Sequence, residues 1–383
     1  METIDSQGRT AATQTDKLLF TPGPLTTSRT VKEAMLRDLG SRDEDFVATV
    51  RSIRNRLLAI AGVSQTSGYE AVLMQGSGTF AVESVLSSVI PTEGRLLALV
   101  NGAYGARIVA MAKRHRIPVT VIECPENEIP TVAQVVAALS ADPALSHVVM
   151  VHSETTSGIF NPVAEIGKAV RDRGRSLIVD AMSSFGAVPL DLPTAGVDYL
   201  VTSANKCIEG VPGFGIIVAR REPFLASEGS ARTLSLDLHA QWRGLEGNGQ
   251  FRFTPPTHAL LAFKQALDEL DAEGGPDGRA KRYRNNHATL VQGMRSLGFE
   301  PYVPEAHQGY IITTFPFPKN PRFTLEEFYQ RLSNRGMVIY PGKLTQMNCF
   351  RMGNIGRLYP KDLQALVEGV RITLTEMGIQ IPV

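Results

Sequence analysis

The chain has 383 residues, of which 43% are hydrophobic and 20% are charged, so it can bury a sizeable core and is neither disordered nor fibrous. From the length we expect two or three domains of about 100 to 200 residues each. The 39 basic residues balance 38 acidic ones and are dispersed along the chain, which argues against a nucleic-acid or anionic-membrane surface and favours small-molecule partners.

The first residues predict neither export nor membrane insertion. Residues 1–16 are polar and lack the apolar centre of a signal peptide, and the sequence has no run of 18 apolar residues. We therefore expect a cytoplasmic protein with a polar N-terminal arm over residues 1–17. Three widely spaced cysteines fit a reducing compartment, and the seven histidines show no metal-site spacing, so we expect no metal.

The elements nearest the N-terminus are short. LLFTPGPLT, residues 18–26, has the pattern of an extended piece broken by two prolines and a glycine. TVKEAMLRDLG then predicts a helix with Thr30 as its N-cap and Gly40 as its stop.

Seven continuous apolar runs rich in β-branched residues predict strands that are buried on both faces. They are residues 69–75, 96–101, 118–124, 147–153, 176–182, 198–204 and 215–221. Helical patterns separate most of them, as at residues 81–90, 105–115 and 163–174. This alternation predicts an α/β fold with a mainly parallel, doubly wound seven-stranded sheet. We expect a large cofactor-binding domain over residues 18–272.

A glycine- and proline-containing segment, EGGPDGRA, marks a break in composition near residue 273. Beyond it, helices are predicted over residues 281–298, 324–336 and 362–378, and strands over residues 310–315 and 337–342. We therefore expect a smaller α+β domain over residues 273–383.

Polar segments follow several predicted strands, at the sheet edge where open parallel sheets bind ligands. One of them, GSGT at Gly76–Thr79, precedes a helix, whose free N–H groups and dipole attract a phosphate. Taken alone, GSGT also fits an ordinary helix cap after a turn.

Two charged residues follow neighbouring predicted strands. Asp180 ends its strand, where a carboxylate needs a cationic or donor partner, although a turn or cap explains it equally well in isolation. Lys206 follows the next strand, and a lysine in such a crevice loses its proton readily and can form an imine. Together with Tyr104, which could stack on a ring, and the GSGT turn, these residues describe a pyridoxal phosphate site.

Several blocks resemble the class V aminotransferases of pyridoxal phosphate (PLP) fold type I. They are LLFTPGPLTTSRTVKEAML, LMQGSGTFAVESVL, NGAYGAR, MVHSETTSGIFNP, IVDAMSSFGAVPLD, SANKCIEGVPGFG, SLDLHAQW, RFTPPTHALLAF and IYPGKLTQMNCFRMGNIG. The resemblance runs from about Leu18 to the C-terminus, and some blocks are particular to the family members that act on phosphonates. It implies transfer of the amino group of 2-aminoethylphosphonate to pyruvate, giving phosphonoacetaldehyde and L-alanine, by a homodimer with active sites at the subunit interface.

The resemblance also implies roles for individual residues. Lys206 would form the Schiff base with the cofactor and move the proton, and Asp180 would pair with the pyridine nitrogen. Arg351 would hold the carboxylate of pyruvate or alanine, a task that suits a planar guanidinium. The other implied cofactor-binding residues are Ser77, Gly78, Thr79 and Ser203, Tyr104 on the ring, Thr155 near the ring hydroxyl, and Thr254 reaching the phosphate of a neighbouring subunit.

One block departs from the family pattern, and alternatives remain open. LGSRDEDF, residues 39–46, stands where the phosphonate enzymes have Cys-x-Trp-Asp. Arg42 could pair with the phosphonate or be a solvated loop residue, and Ser28 is a further substrate-binding candidate. The chain could instead be another class V aminotransferase, such as a serine or alanine:glyoxylate enzyme, or a cysteine desulfurase using Cys349. A PLP-sensing regulator would need a DNA-binding domain, for which we expect too few residues before the first block.

Overall fold

A computed structural model of the chain describes residues 16–383. The predicted arm over residues 1–17 therefore lies outside the described residues, except for its last two. The strands are β1 (Leu18–Leu19), β2 (Tyr69–Gln75), β3 (Arg95–Val100), β4 (Val119–Glu123), β5 (Leu145–Val151), β6 (Ser153–Glu154), β7 (Ile159–Phe160), β8 (Ser176–Asp180), β9 (Tyr199–Ser203), β10 (Phe214–Arg220), β11 (Ile312–Pro316), β12 (Met337–Val338), β13 (Tyr340–Pro341) and β14 (Cys349–Gly353).

The helices alternate with the strands through most of the chain. They are α1 (Arg29–Glu33), α2 (Glu44–Ile60), α3 (Gly78–Val89), α4 (Ala103–Arg114), α5 (Val132–Ala141), α6 (Val163–Arg171), α7 (Leu192–Ala195), α8 (Arg221–Ala226), α9 (Leu238–Gly247), α10 (Thr257–Ala272), α11 (Gly275–Ser296), α12 (Leu325–Asn334) and α13 (Pro360–Glu376). None of these helices combines the length and apolar character that a membrane crossing requires.

The central sheet has seven strands in the order β2-β10-β9-β8-β5-β3-β4. Each predicted apolar run forms one of them, because a strand covered by helices on both faces has to be apolar. The expected burial on both faces was wrong for β4, which lies at the edge of the sheet and leaves Val121 40% exposed. Strand β10 pairs antiparallel with β2 and β9, whereas the remaining pairs are parallel. The predicted α/β fold with a mainly parallel sheet is confirmed, and the carboxyl ends of six strands share one edge.

The predicted first helix was wrong in its cap and its end. Ser28, not Thr30, is the N-cap, and its Oγ accepts a hydrogen bond from Val31 N at 3.1 Å. The helix ends at Glu33, well before Gly40. Helix α2 was not predicted, although its buried Phe46, Val50, Ile53 and Leu57 recur at helical spacing.

The described residues form one small hydrophobic cluster, which includes Leu25, Cys207 and Tyr283, and two separate large hydrophobic cores. The larger one surrounds the seven-stranded sheet and runs from Val31 to Leu270. The smaller one contains Phe20 and residues from Leu290 to Ile379, around the sheet β11-β14-β13. We propose that they belong to the two domains expected from the sequence. Because β1 pairs with β12, we also propose that the chain enters the small domain before it begins the large one.

Candidate active site

A cavity of about 200 Å³ lies beyond the carboxyl ends of β2, β3, β8 and β9. Its lining includes seven predicted site residues: Ser77, Gly78, Thr79, Tyr104, Asp180, Ser203 and Lys206. These residues are distant in sequence, and the parallel topology is what brings them to one edge.

The GSGT turn forms the start of α3 at one side of the cavity. Ser77 is the N-cap in extended conformation, and its side chain makes no capping hydrogen bond. A β-carbon on Gly78 would lie 2.1 Å from Met182 Sδ, so the backbone of this turn packs directly against the segment that follows β8. Ser203 Oγ is buried and has no hydrogen-bond partner in the described chain. The side chains of Ser77 and Ser203 can therefore both bind an anion here.

Asp180 is buried at the opposite side of the cavity. Its Oδ1 accepts a hydrogen bond from Met182 N at 3.0 Å. Burial raises the pKa of Asp180 to about 6, and Glu154 adds to this, while the Met182 hydrogen bond and the charge of Lys206 oppose it. A carboxylate in this position is stabilised by any cationic group that enters the cavity.

Lys206 follows β9 and is partly buried, with its amine pointing back toward the N-terminal segment. Its Nζ donates a hydrogen bond to Pro22 O at 2.6 Å. A β-carbon on Gly23 would come within 2.5 Å of Nζ, so glycine leaves the space that the lysine occupies. Burial lowers the pKa of Lys206, with Tyr104 and Asp180 acting in the other direction. The amine can consequently exchange a proton more easily than a surface lysine.

The first turn of α4 carries Tyr104 and is held by a carboxylate from the HSETTSG segment. Glu154 Oε2 accepts hydrogen bonds from Tyr104 N at 3.1 Å and Gly105 N at 3.2 Å. Its Oε1 accepts from Thr156 N at 3.0 Å and from Thr156 Oγ1 at 2.6 Å. Glu154 is fully buried, and burial raises its pKa. Sequence reasoning missed this residue, although an acid directly after a buried strand was the available signal.

The phenol of Tyr104 lies among cations. Burial by itself would raise the pKa of Tyr104, but the hydrogen bond with Thr155 and the charges of Lys206, Lys343 and Arg351 together lower it. Lys343 was not predicted as a site residue. The side of the cavity marked by Tyr104 therefore favours a negatively charged ligand.

Arg351 lies in β14, with 2% of its surface exposed. Its Nε donates to Pro341 O at 2.9 Å, and its Nη1 donates to Thr155 O at 2.7 Å. The guanidinium lies 5.0 Å from the centre of the Tyr340 ring. Burial lowers the pKa of Arg351. Within residues 16–383 it forms no ion pair with a carboxylate, which leaves this buried charge available to a ligand.

The remaining predicted residues lie elsewhere in the single chain. Ser28 caps α1, and its hydroxyl donates to Glu269 Oε1 at 2.6 Å. Arg42 is exposed and shares a surface cavity of about 780 Å³ with Thr254, apart from the first cavity. Thr155 is buried next to the site, and its carbonyl oxygen accepts from Arg351.

Arg107 is a cavity residue that sequence reasoning missed. It lies three positions after Tyr104 in α4, so both side chains share one helix face. Its Nη1 donates to Thr79 Oγ1 at 3.2 Å, and its guanidinium lies 4.9 Å from the centre of the Tyr104 ring. Helical spacing from Tyr104 was the signal that could have identified it.

Comparison with known proteins identifies the family of this chain. The family model for class-V aminotransferases matches residues 26–374. A 2-aminoethylphosphonate–pyruvate transaminase of Salmonella agona is 50% identical over 364 residues, which cover 94% of this chain and 99% of the relative. A transaminase of the same name from Klebsiella pneumoniae is 50% identical over 94% of this chain and 98% of the relative. The solved pyridoxamine-pyruvate aminotransferase of Mesorhizobium loti has a similar fold, with a TM-score of 0.87 at 24% identity, covering 96% of this chain and 94% of that one.

Proposed function

The chain belongs to the class-V aminotransferase family, and on that premise we propose that it transfers the amino group of 2-aminoethylphosphonate to pyruvate, giving phosphonoacetaldehyde and L-alanine. Its fold is that of the PLP fold type I aminotransferases, as the sequence predicted. The relatives named for this reaction match half of the aligned residues over nearly the whole chain. The structural observation that carries the proposal is the convergence of Lys206, Asp180 and Tyr104 on one cavity, beside the unpaired Arg351.

The cavity residues fit pyridoxal phosphate, the cofactor that the family implies. Ser203 Oγ lacks a partner, and the Ser77 side chain makes no capping bond, so both are available to a phosphate at the start of α3. Asp180 is buried and would hold the proton of the ring nitrogen. The residues proposed to hold the cofactor are Ser77, Gly78, Thr79, Tyr104, Thr155, Asp180, Ser203 and Lys206. When bound, the cofactor supplies an electron sink for the substrate carbon that loses its proton.

Lys206 is the proposed catalytic residue. It would attach the cofactor in the resting enzyme and, once released by a substrate amine, carry the proton to and from the substrate carbon. Burial lowers the pKa of Lys206, which favours the neutral amine that accepts this proton. The carbonyl of Pro22, 2.6 Å from Nζ, orients the amine.

Arg351 is the proposed site for the carboxylate of pyruvate and alanine. A buried guanidinium binds a carboxylate strongly because the pair is shielded from water. Two of its nitrogens are already fixed by Pro341 and Thr155, which sets the direction of the remaining donors.

We further propose a homodimer in which the surface cavity containing Arg42 and Thr254 meets the partner subunit. Phe253 lies in that cavity and is 48% exposed, so its ring is available to pack against a partner subunit. Gln75 Nε2 donates to Phe253 O at 2.9 Å, so this segment lies near the end of β2 and the GSGT turn. In the dimer, Thr254 would reach the partner's phosphate, and Arg42 and Ser28 remain substrate-binding candidates.

The test is an assay of alanine formation from pyruvate by the purified protein, with 2-aminoethylphosphonate or serine as the amino donor. We expect alanine from 2-aminoethylphosphonate and the visible absorbance of bound cofactor. Lys206→Ala should lose both the activity and the absorbance of the lysine-attached cofactor. Turnover with serine alone, or with glyoxylate in place of pyruvate, would instead identify another class V aminotransferase.

A further inference from the structure

The segment between β13 and β14 brings a further cation to the Tyr104 ring at the edge of the cavity. Lys343 Nζ lies 4.8 Å from the centre of the Tyr104 ring, and Tyr104 lines the cavity. Lys343 is exposed, and within residues 16–383 it forms no ion pair with a carboxylate. An ammonium group held over an aromatic ring gains some stabilisation, but its positive charge remains uncompensated.

Contacts on both sides of Lys343 fix its position. A β-carbon on Gly342 would lie 2.1 Å from Cys349 O, so the backbone before Lys343 packs directly on β14. Two residues after Lys343, Thr345 N and Thr345 Oγ1 donate to Glu126 Oε2 at 3.0 Å and 3.2 Å. Glu126 follows β4 of the central sheet. The lysine is thus anchored between the small core and the large sheet rather than on a free loop.

Besides Lys206 and Arg107 of the cavity lining, the site consequently holds two further cations, Arg351 and Lys343, and within residues 16–383 neither of these two pairs with a carboxylate. Arg351 is buried, whereas Lys343 lies further out, and both charges act on the Tyr104 phenol. One carboxylate substrate needs only one of them. Arg42, the sequence-based candidate for the phosphonate, lies in a different cavity of the same chain.

The two amino compounds of the proposed reaction, alanine and 2-aminoethylphosphonate, differ in where their anionic group lies. In alanine the carboxylate is bonded directly to the carbon that carries nitrogen. In 2-aminoethylphosphonate one further carbon separates the two groups, and the phosphonate is bulkier and carries more negative charge. An anionic group that lies further out than Arg351 requires a cation nearer the opening of the cavity. A lysine suits this task because its ammonium group binds phosphate-like groups as a flexible point charge.

We propose that Lys343 binds the phosphonate of 2-aminoethylphosphonate and thereby sets the amino-donor specificity of the enzyme. This inference rests on the proposed function. Arg351 serves the carboxylate of alanine and pyruvate, and Lys343 adds the outer contact that only the longer, more highly charged donor reaches. One cavity can then accept both substrates in turn.

The test measures the two half-reactions separately on the cofactor-loaded enzyme. For Lys343→Met, we expect the KM for 2-aminoethylphosphonate to rise about 10- to 100-fold, the loss expected for one charged hydrogen bond. The KM for L-alanine in the opposite half-reaction should stay unchanged, and Lys343→Arg should restore most of the phosphonate affinity. Lys361→Met, which removes an exposed lysine at the start of α13, is the matched control and should behave as wild type.

A binding measurement without turnover separates recognition from chemistry. Ethylphosphonate is 2-aminoethylphosphonate without its amino group, and propionate is alanine without its amino group. Each can be tested as a competitive inhibitor. Lys343→Met should weaken inhibition by ethylphosphonate and leave that by propionate unaffected. Equal losses for both anions, or no loss for ethylphosphonate, would overturn the assignment. A wild-type enzyme that turns over alanine but not 2-aminoethylphosphonate would overturn the proposed function itself.

Discussion

At the scale of single residues, burial sets the chemistry of the site and also makes it costly to fold. Asp180 has to be ionised to pair with a cationic ring nitrogen, yet burial raises its pKa from 3.8 to about 6. A shift of this size corresponds to about 3 kcal/mol of unfolding free energy lost when the group ionises in the cofactor-free protein. The functional carboxylate is therefore destabilising until a cation pairs with it.

Asp180→Asn should stabilise the cofactor-free protein and weaken cofactor binding. Burial raises the pKa of Asp180 in the folded state. The loss of unfolding free energy caused by its ionisation is therefore absent below the pKa of the unfolded state and complete once the pH exceeds the pKa of the folded state. We expect an advantage of about 3 kcal/mol at about pH 8 that shrinks toward about pH 5. Urea unfolding of the wild type and the variant across this pH range measures the difference in unfolding free energy. A constant difference at every pH would show that ionisation of Asp180 is not the cause.

Residues could be predicted where a strand ends and the side chain type is distinctive. Asp180 and Lys206 each follow an apolar run, so the topology of a parallel sheet is enough to place them in one crevice. Glu154 and Arg107 offered weaker signals, an acid just after a buried strand and helical spacing from Tyr104, and no local pattern distinguished Lys343. Their roles come from contacts with Tyr104 that depend on α4 and on the segment after β13.

At the scale of secondary-structure elements, the start of α3 shows how packing fixes a cofactor turn. Gly78 has no room for a β-carbon because Met182 Sδ would be 2.1 Å away. Met182 also lines the cavity, so any displacement of its flexible side chain changes the space available to a ligand. The requirement for glycine is thus tied to the ligand site.

Gly78→Ala should reduce cofactor affinity about 10-fold or more, because the added methyl group would displace either the turn or Met182. A tenfold loss of affinity corresponds to roughly 1.4 kcal/mol of binding free energy. Equilibrium titration of the cofactor-free protein with pyridoxal phosphate measures this effect. Gly247→Ala in α9 is the control, because no atom lies within 4 Å of the place that a β-carbon would take there, and alanine favours a helix. Similar affinities for both variants would contradict the steric account.

Elements were predicted well where hydrophobic burial alone decides them. The seven sheet strands were found because they are apolar throughout. The cap of α1 was misassigned because Ser28 and Thr30 are both suitable caps. Both hydroxyls donate to Glu269 on α10, and Ser28 Oγ in addition accepts from Val31 N. Strand β14 was missed, since its pairing with β11 and β13 depends on residues far away in sequence.

At the scale of the whole molecule, a buried charge network joins the segment after Lys206 to helix α11. Glu209 is 2% exposed and has a left-handed φ of 65°. It accepts hydrogen bonds from Arg282 Nη2 at 2.7 Å and Tyr283 OH at 2.6 Å, and Arg279 Nη1 lies 3.4 Å away. Since Glu209 N donates to Lys206 O at 2.8 Å, this network connects the backbone at the proposed catalytic lysine to a helix from beyond the large core.

Glu209→Gln should lower the unfolding free energy by about 1 to 3 kcal/mol, because the buried guanidinium groups of Arg279 and Arg282 then keep only Glu273 as a carboxylate partner. Thermal and urea unfolding measure the change. The control is Glu368→Gln, which breaks the exposed ion pair with Arg371 and should change the unfolding free energy little, because solvent screens an exposed pair. Comparable small losses in both variants would show that the network adds little to stability.

The proposed dimer makes a separate prediction about the Arg42 and Thr254 cavity. Phe253→Asp should shift the protein toward monomer and lower cofactor retention, because a buried carboxylate at an interface is strongly unfavourable. Sedimentation velocity and the absorbance of bound cofactor measure these effects. Val132→Asp, at an exposed position in the first turn of α5, should leave both unchanged. A Phe253→Asp protein that stays dimeric would place the interface elsewhere.

The sequence by itself determined the α/β class, the seven sheet strands and the main residues that meet at the cavity, since continuous apolar runs specify buried parallel strands and such strands carry ligands at their carboxyl ends. Only the tertiary structure decided the surroundings of those residues. Segments far apart in the chain meet at four places. Glu154 accepts from the backbone of Tyr104, Arg351 donates to the carbonyl of Thr155, Lys343 lies near the Tyr104 ring, and Arg282 donates to Glu209. Such contacts follow from packing between elements, which no local pattern encodes.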